Sequence, residues 1–434
     1  MFTKKVTQWG MFFICLLIQT LAVQAHAQTE APVQPRERMT VSLVTAAPGR
    51  EVYQLEGHSA LRLRKEVADT AMTGLWRPLY DVAVNWGVFD FASPNFIYRF
   101  VKGETDYMAL AYPFNLFLEE YRMEGRRVVE QELNLTPDEM ARLESLIGEN
   151  LLPENRTYRY NYVKDNCATR PLAMVERAMG DTITLDPAAS MHEYLPGDAG
   201  WPRTFRKDMT DYHRNYPWYQ FGIDLALGSG IDYPITARER TFAPVYLESE
   251  IARATRTMPD GSRAPVVTES RVIVEGAPEG VADGATPWPL TPFAVAIDLF
   301  VLTAVISVFD WRRRRLTRWL DSLLYGAFTL CGCVLTFLIF VSVHEATSPN
   351  WLYLWLNPLC AIPAVCVWIK RCKRVVYWYQ ICNFAALILL LSGHIFMGLA
   401  MNPAFPLLIL CDLMRSATQI YVYRGGIKPH ATTD

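Results

Sequence analysis

The chain has almost no cysteine where an exported protein would use it. Of its nine cysteines, Cys15 lies in an N-terminal apolar run, and seven, from Cys331 to Cys411, lie in the apolar C-terminal third. Only Cys167 remains in the long stretch between them. One cysteine cannot close an internal disulfide, so a disulfide-stapled scaffold is excluded there. Net charge is nearly absent too. Lys and Arg total 42 against 44 Asp and Glu, which removes the basic footprint of a nucleic-acid binder. No group of His, Cys and carboxylates has metal-ligand spacing. No glycine-rich loop is built to cradle phosphate, and no internal repeat is present. Neither a metal nor a cofactor is expected.

What is present divides the chain into an exported part and a membrane part. Lys4 and Lys5 precede "MFFICLLIQTLAV" and then "QAHAQT". A basic start, a short apolar run and an Ala-x-Ala site predict a signal peptide over 1–27; an uncleaved anchor is the alternative. From Pro292, apolar segments occupy 292–309, 321–343, 351–369, 376–398 and 403–422. Each is close to the ~20 residues of a helical span. The basic stretches "WRRRRLTRW" and "KRCKR" follow the first and third segments, whereas "HEATSPN" and "GLAMNPAF" carry no Lys or Arg. The positive-inside rule then puts the basic loops in the cytoplasm and the N-terminal domain outside. The expected layout is a periplasmic domain over 28–250, a Pro- and Gly-rich linker or insertion over 251–291, and an all-α membrane domain of about five helices over 292–422. A cytoplasmic tail over 423–434 follows. "RVIVEG" is one short strand within the linker. The chain is expected to be multi-pass in the inner (cytoplasmic) membrane. Asp412 and Arg415 interrupt the last segment, three apart, where they pair with each other or Arg415 snorkels to the interface. Asp298, inside the first segment, is a candidate site residue or reaches headgroups.

Cys167 is either a small buried residue or a working thiol. A working thiol needs a base, and the exported domain offers His58, His192 and His213. His192 and His213 stand in turn-rich context and read as surface or structural residues. His58 follows Gly57 at the start of an alternating stretch, "HSALRLRK", which predicts a strand. A second strand, 79–91, puts Asp81, Ala83 and Asn85 on one face, so Asn85 or Asp81 is placed to orient an imidazole on the neighbouring strand. After Cys167, Leu172, Val175 and Met179 have helical spacing, and Gly180 ends the helix. Pro171 favours Thr169 as N-cap, with Cys167 on the loop leading in. That position favours an anion and supplies backbone N–H donors. Asn166 either donates to an oxyanion or caps the turn. The stretch "FNLFLEEYRMEGR" (114–126) offers exposed aromatic residues to lipid, and "HEATSPNWLYLWLNP" (344–358) has aromatic residues at interface depth, with His344 beside them.

Five stretches, "EGHSALRLR", "NWGVFDFASPNFIYRFVKGETDYMAL", "YRYNYVKDNCATRP", "YQFGIDLALGSGIDYP" and the multi-span C-terminus, resemble the Lnb family. Its members are lipoprotein N-acyltransferases of Bacteroidota. The resemblance implies an α+β, papain-like periplasmic domain of the permuted NlpC/P60 type, since His58 precedes Cys167. It implies an acyltransferase in which Cys167 carries the acyl chain as a thioester and His58 is its base. The acyl donor would be a membrane glycerophospholipid, and the acceptor the α-amine of a diacylglyceryl-cysteine lipoprotein. Pro171 departs from the family's usual residue and leaves the helix start open. The rival readings are a membrane-tethered NlpC/P60-type cell-wall peptidase or amidase and a non-catalytic membrane scaffold.

Overall fold

The computed structural model describes residues 36–68, 75–90, 92–180, 182–185, 203–277 and 285–424. The expected signal peptide, His192 and most of the expected tail lie outside them. The described strands are β1 (Glu37–Ala46), β2 (His58–Ala68), β3 (Trp76–Val88), β4 (Asp106–Pro113), β5 (Val128–Leu133), β6 (Thr157–Arg159), β7 (Ile183–Thr184), β8 (Thr255–Thr257), β9 (Arg263–Pro265) and β10 (Val267–Val274). The described α-helices are α1 (Phe96–Lys102), α2 (Phe114–Glu124), α3 (Pro137–Asn150), α4 (Thr169–Met179), α5 (Phe205–Tyr212), α6 (Pro217–Ala226), α7 (Ala237–Arg240), α8 (Pro244–Arg253), α9 (Pro292–Arg313), α10 (Arg318–Phe340), α11 (Ala361–Cys366), α12 (Lys373–Met397) and α13 (Ala404–Arg424). They fall into two compact units.

The first unit draws on the described residues of 36–93, 106–185 and 236–277. Its frame is an antiparallel sheet of seven strands in the order β10-β5-β1-β2-β3-β4-β6. The central strands alternate apolar residues to both faces, so both faces must be covered. Leu43, Leu61, Leu63, Val84 and Trp86 form one core with Leu143 and Ile147 of α3, Leu172 and Val175 of α4, and Leu247 and Ile251 of α8. Val44, Ala46, Ala60 and Ala83 receive Phe114, Phe117 and Tyr121 of α2 on the other face. The unit is thus α+β, as expected. The small residues on this second face make room for the three rings, which recur at three- and four-residue spacing and so share one stripe of α2. This corrects the expectation of exposed aromatics in 114–126: Phe114, Phe117 and Tyr121 are buried, and the exposed apolar residues there are Leu116 and Met123.

The segment expected as a linker also differs. Val267–Val274 adds to the outer edge of β5, antiparallel, with Arg271 opposite Glu130 and Val272 opposite Val129. The short strand anticipated in "RVIVEG" is the end of this longer one. It covers the β5 edge that would otherwise present unpaired backbone groups.

The second unit draws on the described residues of 94–105, 203–235 and 285–424. Three of its helices, Pro292–Arg313, Arg318–Phe340 and Lys370–Met397, are long and apolar enough to cross a membrane. The expected span 351–369 is not one long helix. Short 3-10 turns at Trp351–Leu354 and Pro358–Cys360 lead into α11. Pro358 and Pro363 lack the N–H groups a continuous helix would use. The broken segment lies against Gly332 of α10, where an added Cβ would come within 2.6 Å of the Asn357 backbone. Irregular backbone in so apolar a segment is tolerated where protein buries it.

α13 carries the polar residues that interrupt the last segment. Asp412 and Arg415 are both fully buried, and they do not pair. Arg415 instead forks onto Asp321 of α10, with Nε–Oδ1 at 2.7 Å and Nη2–Oδ2 at 3.0 Å. It also reaches Asp310 of α9 at 2.9 Å. Asp412 Oδ1 accepts from Tyr325 Oη and Asn383 Nδ2, each at 2.8 Å. The three-residue spacing suggested a local pair, but both side chains face neighbouring helices that offer closer partners. Arg415 therefore does not snorkel. Asp298 is exposed and has no place in this cluster.

Candidate functional site

The stretch around Cys167 closes on itself before it presents the thiol. Asn161 and Asp165 form an antiparallel bridge, with Asn161 N–H to Asp165 O at 3.0 Å and the return bond at 2.9 Å. The Arg170 guanidinium grips the Asp165 carboxylate with two nitrogens and lies 3.4 Å from the Tyr158 ring centroid. Asn166 is 2% exposed. Its Oδ1 accepts from the backbone N–H of Ala168 at 2.8 Å and of Thr169 at 3.0 Å. The Thr169 hydroxyl accepts in return from the Asn166 N–H at 2.8 Å. This is a reciprocal cap. Thr169, expected as N-cap, is its second half, and Asn166 is the cap. Pro171 has no N–H, so it lies where the first turn does not need one.

Both amide hydrogens of Asn166 are also spent. Nδ2 donates to Tyr162 O at 2.7 Å and to Phe242 O at 2.9 Å. Asn166 therefore has no donor left for an oxyanion, which corrects that expectation in favour of the capping alternative. The polar side chains of "DNCATR" all hold the turn together, and Cys167 is the one they hold up. It is half-buried and free.

His58 is the first residue of β2. Gly57 before it has φ +83°, and a Cβ there would come within 2.6 Å of Ala46 O, so the tight approach into the strand needs glycine. Ala60 faces Asn85 across the β2–β3 pair. The alternation puts His58 and Asn85 on the same face, and His58 Nε2 meets Asn85 Oδ1 at 2.5 Å. Asn85 Nδ2 in turn donates to Tyr112 Oη of β4 at 3.3 Å. Because the amide nitrogen is engaged with Tyr112, its oxygen faces the ring. The contact therefore fixes Nε2 as the protonated nitrogen and leaves Nδ1 as the basic one. Asp81, the other expected orienter, is held by Arg62 through Nε at 2.8 Å and Nη2 at 2.6 Å. His213 is buried, with Nδ1 at 2.8 Å from Gln220 Oε1 in the second unit, as a structural residue would be.

Cys167 approaches the same end of the sheet. An added Cβ on Gly87, at the end of β3, would lie 3.5 Å from the Cys167 Cβ. Burial pushes the thiol up to about 12, opposed by the Ser59 backbone N–H, the residue after His58, and by Cys167's own N–H. Glu56 adds to the rise, and Arg126 opposes it. Burial likewise pushes His58 down to about 4, against the hydrogen bond to Asn85, with Arg126 pushing the same way as burial. The resting site thus holds a thiol and a neutral imidazole at neutral pH. Such a pair can transfer a proton as a nucleophile attacks, with backbone N–H groups already aimed at the sulfur. Tyr112 and the Ser59 amide were not anticipated. Both depend on strand register, which short alternating stretches do not carry. Among the described residues no group of His, Cys, Asp and Glu could hold a metal ion.

Two family models match the chain: the Lnb N-terminal periplasmic domain over residues 31–197, and the Lnb transmembrane domain over residues 284–425. The first match contains both His58 and Cys167. No curated protein and no solved structure matches the chain.

Proposed function

Because the chain belongs to the Lnb family, a membrane protein with a periplasmic N-terminal domain, we propose that it N-acylates lipoproteins through a thioester on Cys167. The observation that carries this reading is the lone thiol of the N-terminal domain, held free at a helix start against Gly87 and the N–H of Ser59, the residue after His58, whose ring is held by Asn85. His58 Nδ1 takes the Cys167 proton as Sγ bonds to the carbonyl carbon of a glycerophospholipid ester. The Cys167 and Ser59 N–H groups stabilise the oxyanion. The C–O bond breaks, and the lysophospholipid oxygen leaves with the proton from His58. The α-amine of a diacylglyceryl-cysteine lipoprotein then attacks the thioester. The C–N bond forms, the C–S bond breaks, and His58 passes the amine proton back to sulfur. A thiolate leaves more readily than an alkoxide, which suits transfer to an amine over hydrolysis once water is excluded.

The order His58 then Cys167, with the thiol before a helix packed on an antiparallel sheet, supports a permuted papain-like domain. The helical unit would cross the inner membrane five times, with Trp351–Cys366 and α13 completing the three long apolar helices. A peptidase would use the same thiol and imidazole, but a membrane unit suits substrates that are themselves anchored in lipid.

Asn85→Ala should lower kcat on the order of 10–100-fold by freeing the imidazole. Asn85→Asp would place a carboxylate on Nε2–H, raise the His58 pKa and move the acid limb of the rate–pH profile upward. A merely structural Asn85 would leave that limb in place. The function itself is tested by expression in a host lacking lipoprotein N-acylation, with mass analysis of lipoprotein N-termini and of the Cys167 peptide. A third acyl chain and a fatty acyl adduct on Cys167 are expected. A muropeptide adduct would replace the proposal with cell-wall hydrolysis, and no adduct with unchanged lipoproteins would leave a scaffold.

A further inference from the structure

Helix α1, which follows β3 and precedes β4 in the chain, belongs to the second unit. Its residues come from the motif "SPNFIYRFVKGE", which nothing in the proposed chemistry uses. Its position relative to α10 is set by contacts within that unit. The Val343 N–H donates to Lys102 O at 2.8 Å, and the Ser342 hydroxyl donates to Val101 O at 3.0 Å. His344 Nε2 lies 2.9 Å from Phe100 O. Gly103, with φ +80°, ends the helix where an added Cβ would press on Val343 and His344 at 3.1–3.2 Å. The Tyr98 ring packs edge-on against Phe337, with centroids 5.8 Å apart.

Those contacts fix its depth. α10 runs 23 residues from the basic loop to Phe340, about 34 Å at 1.5 Å per residue, and this matches the ~30 Å hydrocarbon layer. Residues 337–344 therefore stand at the outer, periplasmic boundary of the bilayer. α1 lies at that level, yet it leaves Ile97 77%, Tyr98 53% and Phe100 45% exposed. Trp288, 65% exposed just before α9, marks the same boundary from a helix end. A soluble surface rarely offers three large apolar residues from about one turn of helix. At interface depth the same residues are solvated by lipid, whereas Lys102 is paired with Glu104 and Arg99 donates to the Glu104 carbonyl.

We propose that α1 is a membrane-inserted interfacial helix, with Ile97 and Phe100 seated in the outer leaflet of the phospholipid bilayer. It would anchor the chain segment that leaves β3, the strand carrying Asn85, in the layer that holds the acyl donor. That last consequence rests on the acyl-transfer reading; the insertion itself does not.

The test uses the full chain in phospholipid nanodiscs, with an environment-sensitive fluorescent amino acid at position 97. Emission should be blue-shifted and quenched more strongly by phospholipids spin-labelled near the headgroup than by those labelled near the chain end. The same probe at position 97 in nanodiscs without spin-labelled lipid should remain unquenched. A probe at 97 that no lipid quenches would overturn the proposal, whether its emission reports water or a second protein chain. Separately, the double variant I97D/F100D should lose about tenfold or more of acyl transfer from bilayer phospholipid while keeping transfer from a short-chain water-soluble donor. Equal loss on both donors would remove the link to the donor but leave the measured depth standing. Absence of any transfer by the parent chain would count against the proposed function alone.

Discussion

Replacing Cys167 with alanine should abolish acyl transfer, and Cys167→Ser should cost at least about 10³-fold. Serine preserves the shape of the site, but it offers a weaker nucleophile, and the ester it forms is harder for an amine to open. Neither change should unfold the domain. The Asp165–Arg170 ion pair and the Asn166–Thr169 cap hold the turn without the thiol. His58→Ala should cost about 10²–10⁴-fold, the ordinary worth of a positioned base. The pH dependence separates this site from one with a preformed thiolate. His58 is the base only when neutral, and its pKa is pushed down to about 4, so the acid limb of kcat/KM should fall near 4 and not near 6.5. Cys167 is pushed up to about 12, so no rise in thiolate should appear through neutral pH, and alkylation by iodoacetamide at pH 7 should be slow. The stability effect of His58 has a definite sign. Its folded pKa lies below its unfolded value, so the unfolded chain binds more protons between the two. The neutral imidazole thus adds stability above about 6.5, and that contribution is lost as pH falls toward 4. A thermal-shift series from pH 7 to pH 4, on the parent and on His58→Ala, reads it directly. A rate profile with an acid limb near 6.5 or an alkaline rise near 8 would overturn the neutral-pair description.

Features written within one segment of sequence were legible before the fold was known. Leu172, Val175, Met179 and Gly180 marked α4, and Gly180 does end it with φ +70°. The alternation after Gly57 marked β2 and set His58 at its start. Features that join segments far apart were not legible. Asn85 and Asp81 were equivalent on the strand alone. The choice between them was made by Arg62, which binds Asp81, and by Tyr112, which turns the Asn85 amide. The Asn166 side chain looked available until Phe242, 76 residues away, took one of its hydrogens. Only the end of the β10 edge strand, in "RVIVEG", was legible; its first half was masked by its surroundings, because pairing with β5 and not local propensity makes it a strand. In the membrane unit the apolar runs were plain. The partners of Arg415 were not, since a buried charge chooses among helices by geometry that hydropathy does not record.

That choice leads to the largest expected effect on folding. Arg415→Met should destabilise the protein by about 3–5 kcal/mol, because it strands two buried aspartates that now share one cation. Asp321 is fully buried, and Asp310 is nearly so, although Asp310 keeps the Thr317 N–H at 2.8 Å and the Thr317 hydroxyl at 2.6 Å. Asp321 has less reserve, since both of its oxygens bind Arg415 and the Gln419 side chain is its other partner. Most of the cost should therefore come from Asp321. A second change, Asp321→Leu on the Arg415→Met background, should recover a large part of it by removing the orphaned charge. The two changes together should be far less costly than their sum. Asp412, one turn away on the same helix, supplies the contrast. Its Oδ1 accepts from Tyr325, Asn383 and Ser416, none of them charged. Asp412→Asn keeps an acceptor oxygen for these donors and should cost only about 1 kcal/mol. Thermal unfolding of the detergent-solubilised variants, with the monodisperse fraction as a second readout, distinguishes the two positions. If Arg415→Met and Asp412→Asn melt alike, the ion triad does not hold α9, α10 and α13 together, and apolar packing along α13 alone secures it.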